Sequence, residues 1–87
     1  MWHKPSRHKI VGSHLERLRK HRGVTQSDLA KRLKKPQSFI SNYESGQRRI
    51  DLLEFAAIVS ELNEDPRIVS AEIFDALVKP ARSARSR

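Results

Sequence analysis

The chain has 87 residues, enough for one domain with a modest hydrophobic core. Hydrophobic residues (37%) and charged residues (32%) occur in the proportion of a globular protein, and no apolar stretch or signal-peptide pattern predicts a membrane span. The absence of cysteine excludes disulfides and thiolate metal sites, so we expect a cytoplasmic protein.

The net charge of +8 is unevenly distributed along the chain. Residues 13–50 carry ten Lys or Arg against three acids, whereas residues 51–78 carry seven acids against Arg67 alone. Residues 1–9 and 79–87 have only basic charges. Such a basic half indicates a polyanionic partner, with DNA or RNA first, although a membrane surface or an acidic protein also fits the charge alone.

The first predicted helix is defined by signals at its two ends. Ser13 and Glu16 form a capping-box pattern, in which the serine hydroxyl accepts from a backbone N–H and the glutamate reaches back. Gly23 is placed to end the helix in the left-handed conformation. We therefore predict a helix over residues 13–22, preceded by a loose basic arm at 1–9.

Two further short helices are predicted on either side of a tight turn. Thr25 caps the second helix, which can run only to about Lys34. Pro36 suits the first turn of the third helix, where its missing N–H is harmless, and Ser45 and Gly46 close that helix. The small Ala30 stands where these two helices must approach closely.

The acidic half is predicted to form helices four and five. Asp51 and Glu54 make a second capping-box pattern. Behind it, apolar residues recur at helical spacing: Leu52, Phe55, Val59 and Leu62. Asp65 and Pro66 begin the fifth helix, which runs to about Val78. No segment alternates with a period of two, so we predict an all-α domain of five helices at 10–78, with a basic tail at 79–87.

The third helix has two unlike faces. Phe39, Ile40 and Tyr43 supply its apolar face, and we expect the Tyr43 hydroxyl at the surface or near phosphate. The opposite face holds short uncharged side chains: Gln37, Ser38, Ser41 and Asn42. Side chains with both donors and acceptors read base edges in the major groove. A merely solvated face is the alternative, weakened by the surrounding cations: Lys31, Arg32, Lys34, Lys35, Arg48 and Arg49.

Residues 15–65 resemble the Cro/C1-type (Xre-like) helix-turn-helix domain of phage repressors and bacterial regulators. The matching strings are LERLRKHRGVTQSDLAKRL and QSFISNYESGQRR, followed by the apolar fourth helix. The resemblance implies a lambda-repressor-like five-helix bundle. It also implies that helix 26–33 crosses the DNA backbone and that helix 37–45 is the recognition helix.

The resemblance implies roles for individual side chains. Base reading falls to Gln37, Ser38, Ser41 and Asn42. Gln26 matches a residue that contacts phosphate and steadies the first reading residue. Arg19 and Glu44 match a pair that joins helix 1 to the end of the recognition helix. The residues expected on the DNA backbone are Thr25, Gln26, Lys35, Ser45, Gln47, Arg48 and Arg49.

Two positions in the turn depart from the family pattern. Lys34 stands where a glycine with positive φ is usual, at a cost of about 1 kcal/mol, so we expect Pro36 to reshape the turn. Lys35 replaces an apolar residue. Both changes add positive charge beside the expected phosphate.

The fifth helix has more apolar surface than a small domain is expected to bury. Its apolar residues are Ile68, Val69, Ile73, Phe74, Leu77 and Val78. Because the acidic half should face away from phosphates, we expect a homodimer with Ile73, Phe74 and Leu77 at its interface. Two recognition helices would then lie about 34 Å apart on a palindromic site. The alternative is that this helix only completes the monomer core.

The predicted function is sequence-specific binding of double-stranded DNA by a nucleoid-associated transcriptional regulator. A repressor is expected rather than an activator. The alternatives are an antitoxin-like protein that binds both DNA and a toxin, and an RNA-binding adaptor. RNA recognition relies on exposed aromatics, and only Trp2 is expected outside the core. We expect no enzymatic activity, cofactor or small-molecule substrate. We expect no metal site either, because the histidines follow one another at five, six and seven residues and not at the three or four that put two ligands on adjacent turns of one helical face: His3, His8, His14 and His21.

Overall fold

The structure, a computed structural model, describes residues 5–78. Residues 1–4 of the predicted basic arm, which include Trp2, and the basic tail at 79–87 lie outside the described residues. The described part contains five helices and no strand, as predicted: α1 (Pro5–His21), α2 (Gln26–Leu33), α3 (Gln37–Ser45), α4 (Leu52–Glu61) and α5 (Pro66–Leu77). None of these five helices is long and apolar enough to cross a bilayer.

Local capping determines most of the helix boundaries. Thr25, Asp51 and Asp65 each precede a helix and accept a hydrogen bond from a backbone N–H of its first turn. The capping box at Asp51 is complete, because the Glu54 carboxylate accepts in return from the Asp51 N–H at 3.0 Å. Gly46 ends α3 with a φ of 88°. The predicted starts of helices two, four and five and the predicted end of helix three are therefore confirmed.

The predicted start of the first helix is wrong. α1 begins at Pro5 rather than Ser13, so residues 5–9 are helical and Ser13 lies in the helix interior. Glu16 instead forms an i,i+4 ion pair with Lys20, with 3.1 Å between the carboxylate and Nζ. Proline is favourable at a first helical position, and packing of the added turns against α3 stabilises them.

Gly12 lets α1 cross the end of α3 at close range. A Cβ placed on Gly12 would lie 1.9 Å from the carbonyl oxygen of Tyr43 and 2.9 Å from the Cα of Glu44. Only a residue without a side chain fits there. The early turns of α1 are therefore held by backbone-to-backbone packing, which leaves no periodic signal in the sequence.

The hydrophobic core is shared by all five helices. Its buried members are Leu15, Leu29, Ala30, Phe39, Ile40, Tyr43, Ile58, Val59, Leu62, Val69 and Ile73. Leu52 was predicted on the apolar face of α4 but is 81% exposed, and Ile58 faces the core instead. The Tyr43 hydroxyl was expected at the surface, yet it is buried with no hydrogen-bond partner among the described residues.

The turn between α2 and α3 keeps the geometry usual for glycine. Lys34 adopts the left-handed conformation, with φ 59° and ψ 44°. Pro36 is the N-cap residue of α3, just outside the helix, with a φ of −69°. The expectation that Pro36 reshapes the turn is therefore wrong, because Lys34 takes the left-handed conformation itself.

The apolar residues of α5 divide between core and surface. Ile73 is 5% exposed and belongs to the core of the single chain, although it also lines the floor of an apolar groove beside Phe74. Leu77 is half-buried against that core. Phe74, by contrast, is 61% exposed. Of the three residues predicted at a dimer interface, Phe74 is thus the one that presents most of its ring to solvent.

Candidate nucleic-acid interface

The outward face of α3 carries the four side chains predicted to read bases. Four residues of the other face, Phe39, Ile40, Tyr43 and Glu44, are buried. Gln37 and Ser38 are exposed at the start of the helix, and Ser41 and Asn42 are partly exposed one turn later. The Ser41 hydroxyl donates to the Ser38 carbonyl oxygen at 3.3 Å, which leaves its lone pairs available.

A buried ion pair joins α1 to the end of α3. The Arg19 guanidinium donates to both carboxylate oxygens of Glu44, from Nε at 2.7 Å and from Nη2 at 3.0 Å. Its Nη1 donates to the Val24 carbonyl oxygen at 2.8 Å. The hydrogen bond to Glu44 raises the pKa of Arg19 above its ordinary value. The two charges lose their contacts with water on burial. The bidentate hydrogen bonds and the additional bond to the carbonyl oxygen offset this desolvation cost.

The same carboxylate begins a chain of hydrogen bonds that ends on Gln37, the first of the residues predicted to read bases. Gln26 Nε2 donates to Glu44 Oε1 at 2.9 Å, and Gln37 Nε2 donates to Gln26 Oε1 at 3.2 Å. Because a carboxylate can only accept, it orients the Gln26 amide with its nitrogen inward and its oxygen toward Gln37. This hydrogen bond in turn orients the Gln37 amide, and the Gln37 amide oxygen accepts no hydrogen bond from another residue within 5–78.

The residues predicted to contact the DNA backbone surround this face. All but the half-buried Gln26 are exposed: Thr25, Lys35, Ser45, Gln47, Arg48 and Arg49. The Lys35 ammonium lies 5.2 Å from the centroid of the Phe39 ring. The Ser45 hydroxyl donates to the Asn42 carbonyl oxygen at 3.1 Å. The structure brings Lys35 and Arg48 to the same Phe39 ring, and Thr25, Gln26 and Gln37 line one shallow depression. Ser45, Gln47 and Arg49 follow at the end of α3.

Arg48 and Arg49 differ in how their charges are compensated. Arg48 donates to both oxygens of Glu54, at 3.0 and 3.1 Å, and lies 4.7 Å from the Phe39 ring centroid. This contact lowers the pKa of the Glu54 carboxyl. The Arg49 side chain has no acidic partner within residues 5–78. Arg49 is therefore the freer of the two cations for a phosphate.

Sequence reasoning missed two contributors near this face. One is Glu54, assigned only to a cap, which also holds Arg48. The other is the start of α1, where Lys9 is packed against Gly46 at the end of α3. Pro5 was the available signal, because proline favours a first helical position. Within the described residues, no group of three or more His, Cys, Asp or Glu side chains is close enough to hold a metal ion.

Comparison with known proteins agrees with this geometry. A family model described as helix-turn-helix, of the Cro/C1 type, matches residues 15–69. An XRE-family like protein from Pseudomonas syringae pv. tomato str. DC3000 is similar in structure, with 32% identity and a TM-score of 0.73, covering 85% of this chain and 89% of that one. The restriction-modification controller protein C.AhdI from Aeromonas hydrophila has 27% identity and a TM-score of 0.66, covering 76% of this chain and 98% of that one. No curated protein sequence matches. The chain therefore belongs to the Cro/C1-type (Xre-like) family of helix-turn-helix proteins, which bind DNA and regulate transcription.

Proposed function

We propose that this protein is a repressor that binds specific sites in double-stranded DNA as a homodimer, reading the major groove with α3. The observation that carries the proposal is the outward face of α3, where uncharged polar side chains lie between exposed cations while the inner face is buried. An α-helix fits the major groove, and such side chains match the donors and acceptors of base edges. The protein would act at the chromosome, in the cytoplasm.

Gln37 is the best-defined reading residue. Its amide nitrogen donates to Gln26 and its amide oxygen remains free, so it can accept one hydrogen bond and donate another. A glutamine used in this way pairs with N6 and N7 of adenine. We therefore expect an adenine where Gln37 meets the DNA.

Affinity would come from the cations and polar groups around α3. Residues 13–50 carry a net charge of +7, and residues 51–78 a net charge of −6. Each phosphate neutralised by such a surface releases counterions, so binding should weaken steeply as salt rises. The base-reading residues would then select the site among all DNA sequences.

The exposed ring of Phe74 supports the homodimer. Phe74 and Leu77 border an apolar groove together with Leu52 and Phe55 of α4. This groove lies in the acidic part of the chain, which should face away from the DNA. Exposed apolar surface of this kind marks contacts with a partner, and a two-fold pair would present two recognition helices to a palindromic site.

The experiment is recovery and sequencing of genomic fragments bound by the protein. The expected result is one palindromic motif. A promoter carrying that motif should be less active when the protein is produced, and the Asn42→Ala variant should relieve this repression. Enrichment of RNA or of a toxin protein without any DNA motif would contradict the proposal and favour one of the alternative functions.

The recovered site then separates base reading from backbone contact. Asn42→Ala and Ser38→Ala should weaken binding to the site by about 1–3 kcal/mol while leaving binding to scrambled DNA unchanged. Arg49→Ala should weaken binding to both DNAs and reduce the slope of log affinity against log salt by about one. Equal losses on both DNAs for Asn42→Ala would refute base reading by this residue.

A further inference from the structure

We propose that the first turns of α1 (residues 5–12) form an additional phosphate-binding edge, in which Lys9 and His8 hold a phosphate of the DNA backbone together with Arg49. The inference rests on the proposed function and extends it to a segment that the sequence pattern places in a loose arm. The chemical class of ligand is a phosphodiester.

A cleft separates the start of α1 from the segment that follows α3. It has a volume of about 100 Å³ and is lined by His8, Val11, Tyr43, Arg48, Arg49 and Ile50. Sites for drug-sized ligands have volumes of about 300–1,000 Å³. The cleft therefore suits one small group at its mouth rather than a whole organic ligand.

Apart from Tyr43, whose hydroxyl is buried, the polar side chains that line the cleft are basic: His8, Arg48 and Arg49. None of its lining residues is acidic. Glu54 compensates the charge of Arg48, whereas within residues 5–78 the side chains of Arg49 and Lys9 have no acidic partner. Lys9 is exposed, and His8 is half-buried beside it. Lys9 does not line the cleft but follows His8 on α1 and contacts Gly46. The uncompensated charges of Arg49 at the cleft and of Lys9 next to it favour an anion, and the lysine ammonium binds phosphate as a point charge.

The position of Lys9 is fixed by a contact between the backbone of α1 and the backbone of Gly46, and not by contacts of the Lys9 side chain. A Cβ placed on Gly46 would lie 2.9 Å from both the Cα and the Cβ of Lys9, so the two backbones are in direct contact. Gly46 is the residue that ends the recognition helix. Any DNA that α3 contacts through Ser45 and Gln47 therefore passes close to Lys9. A cation presented on a rigid helix loses less conformational freedom on binding than one on a mobile arm.

The test uses the full chain and compares two alanine variants that each remove one cationic side chain of α1. Lys9→Ala removes the proposed contact. Arg17→Ala is the matched control, because Arg17 is also an exposed cation of α1 but lies near His14, which contacts Glu72 of α5. Binding to the recovered site and to scrambled DNA is measured between about 50 and 200 mM salt.

The expected result is that Lys9→Ala weakens binding to both DNAs and reduces the salt slope by about 0.9, the value for one phosphate. The ratio of variant to wild-type affinity should consequently change about threefold across that salt range. Arg17→Ala should leave the salt slope unchanged. His8→Ala should weaken binding to both DNAs without a change in sequence preference. Thermal unfolding should be unchanged for Lys9→Ala, since the side chain is exposed.

Two outcomes would overturn the inference. If Arg49→Ala lowers the slope but Lys9→Ala does not, the backbone assignment stands and the edge on α1 is absent. If neither variant lowers it, the DNA-binding surface proposed above is itself wrong. Calorimetric titration with inorganic phosphate distinguishes the source of the ligand. We expect no saturable binding of free phosphate, and saturable binding that Lys9→Ala abolishes would assign the cleft to a soluble phosphate instead of DNA.

Discussion

At the scale of single residues, Tyr43 combines an aromatic contact with an unsatisfied hydroxyl. Its ring meets that of Phe39 edge to face, with 5.4 Å between the centroids and 74° between the planes. The side chain is fully buried, and burial raises the pKa of its hydroxyl well above the ordinary value. No described residue hydrogen-bonds the hydroxyl, so Tyr43 contributes through its ring alone.

Replacing this tyrosine by phenylalanine should stabilise the protein. Tyr43→Phe keeps the ring contact and removes a buried group without a partner, whose desolvation costs about 1–3 kcal/mol. We expect the free energy of unfolding in urea to rise by about 1 kcal/mol, with the same m-value and the same affinity for the recovered DNA site. A loss of stability would indicate that the hydroxyl has a partner in solution.

Lys34 also occupies a conformation unfavourable for its type. With a φ of 59°, it should gain stability on substitution by glycine, which lacks the steric penalty of a Cβ there. We expect Lys34→Gly to raise the free energy of unfolding by about 1 kcal/mol. The matched control is Asn63→Gly at a φ of 58°, where the gain should be smaller because asparagine tolerates this region. Equal gains, measured by denaturant unfolding, would contradict the argument.

At the scale of helices, the crossing of α1 over α3 depends on Gly12. Gly12→Ala would bring a methyl group against the backbone oxygen of Tyr43, which cannot move as a side chain can. We expect a loss of about 3 kcal/mol or more in unfolding free energy, with weakened DNA binding because α3 is displaced.

Ser13→Ala is the informative comparison for this crossing. If Ser13 were the N-cap that its pattern predicts, alanine would cost about 1 kcal/mol. As an interior residue of α1, it should be replaced by alanine with no loss, since alanine has the higher helix propensity. A substantial loss for Ser13→Ala with none for Gly12→Ala would mean that the helix begins at Ser13 after all.

The Arg19–Glu44 pair has a second role at the same scale. It connects α1 to α3, and through Gln26 it connects α2 to Gln37 at the start of α3. Three helices are thereby held at fixed angles by one buried carboxylate. Because both charges are buried, losing one partner would leave the other uncompensated, whereas a surface pair could be lost at little cost.

At the scale of the whole molecule, charge separates the two halves of the chain. The helix-turn-helix region is basic, and α4 and α5 are acidic. We expect this separation to orient the molecule on a polyanion, with the acidic helices directed away from it. The exposed apolar groove, lined mostly by residues of α4 and α5, should then be accessible to a second copy while DNA is bound.

The dimer can be tested with paired substitutions on α5. Phe74→Asp places a charge in the groove and should convert a dimer into a folded monomer with weaker binding to the palindromic site. Ile68→Asp is the control, because Ile68 is also exposed on α5 but does not border the groove. Sedimentation at tens of micromolar measures both variants. A wild-type protein that stays monomeric at all concentrations, even on its DNA site, would refute the dimer.

The sequence by itself determined the features that depend on neighbouring residues. Caps at Thr25, Asp51 and Asp65 and the glycine after α3 act within one turn, so they located four helix boundaries and the all-α class. The two-faced pattern of α3 likewise separated its buried residues from its polar ones. These are local interactions, readable without knowing how the helices pack.

Tertiary structure alone decided what depends on contacts between distant segments. It placed the start of α1 at Pro5, because the helix is stabilised by its crossing with α3. It buried Ile73 while exposing Phe74, although both are large apolar residues of the same helix. It also brought Lys9 to the end of α3, since that contact joins segments far apart in the chain.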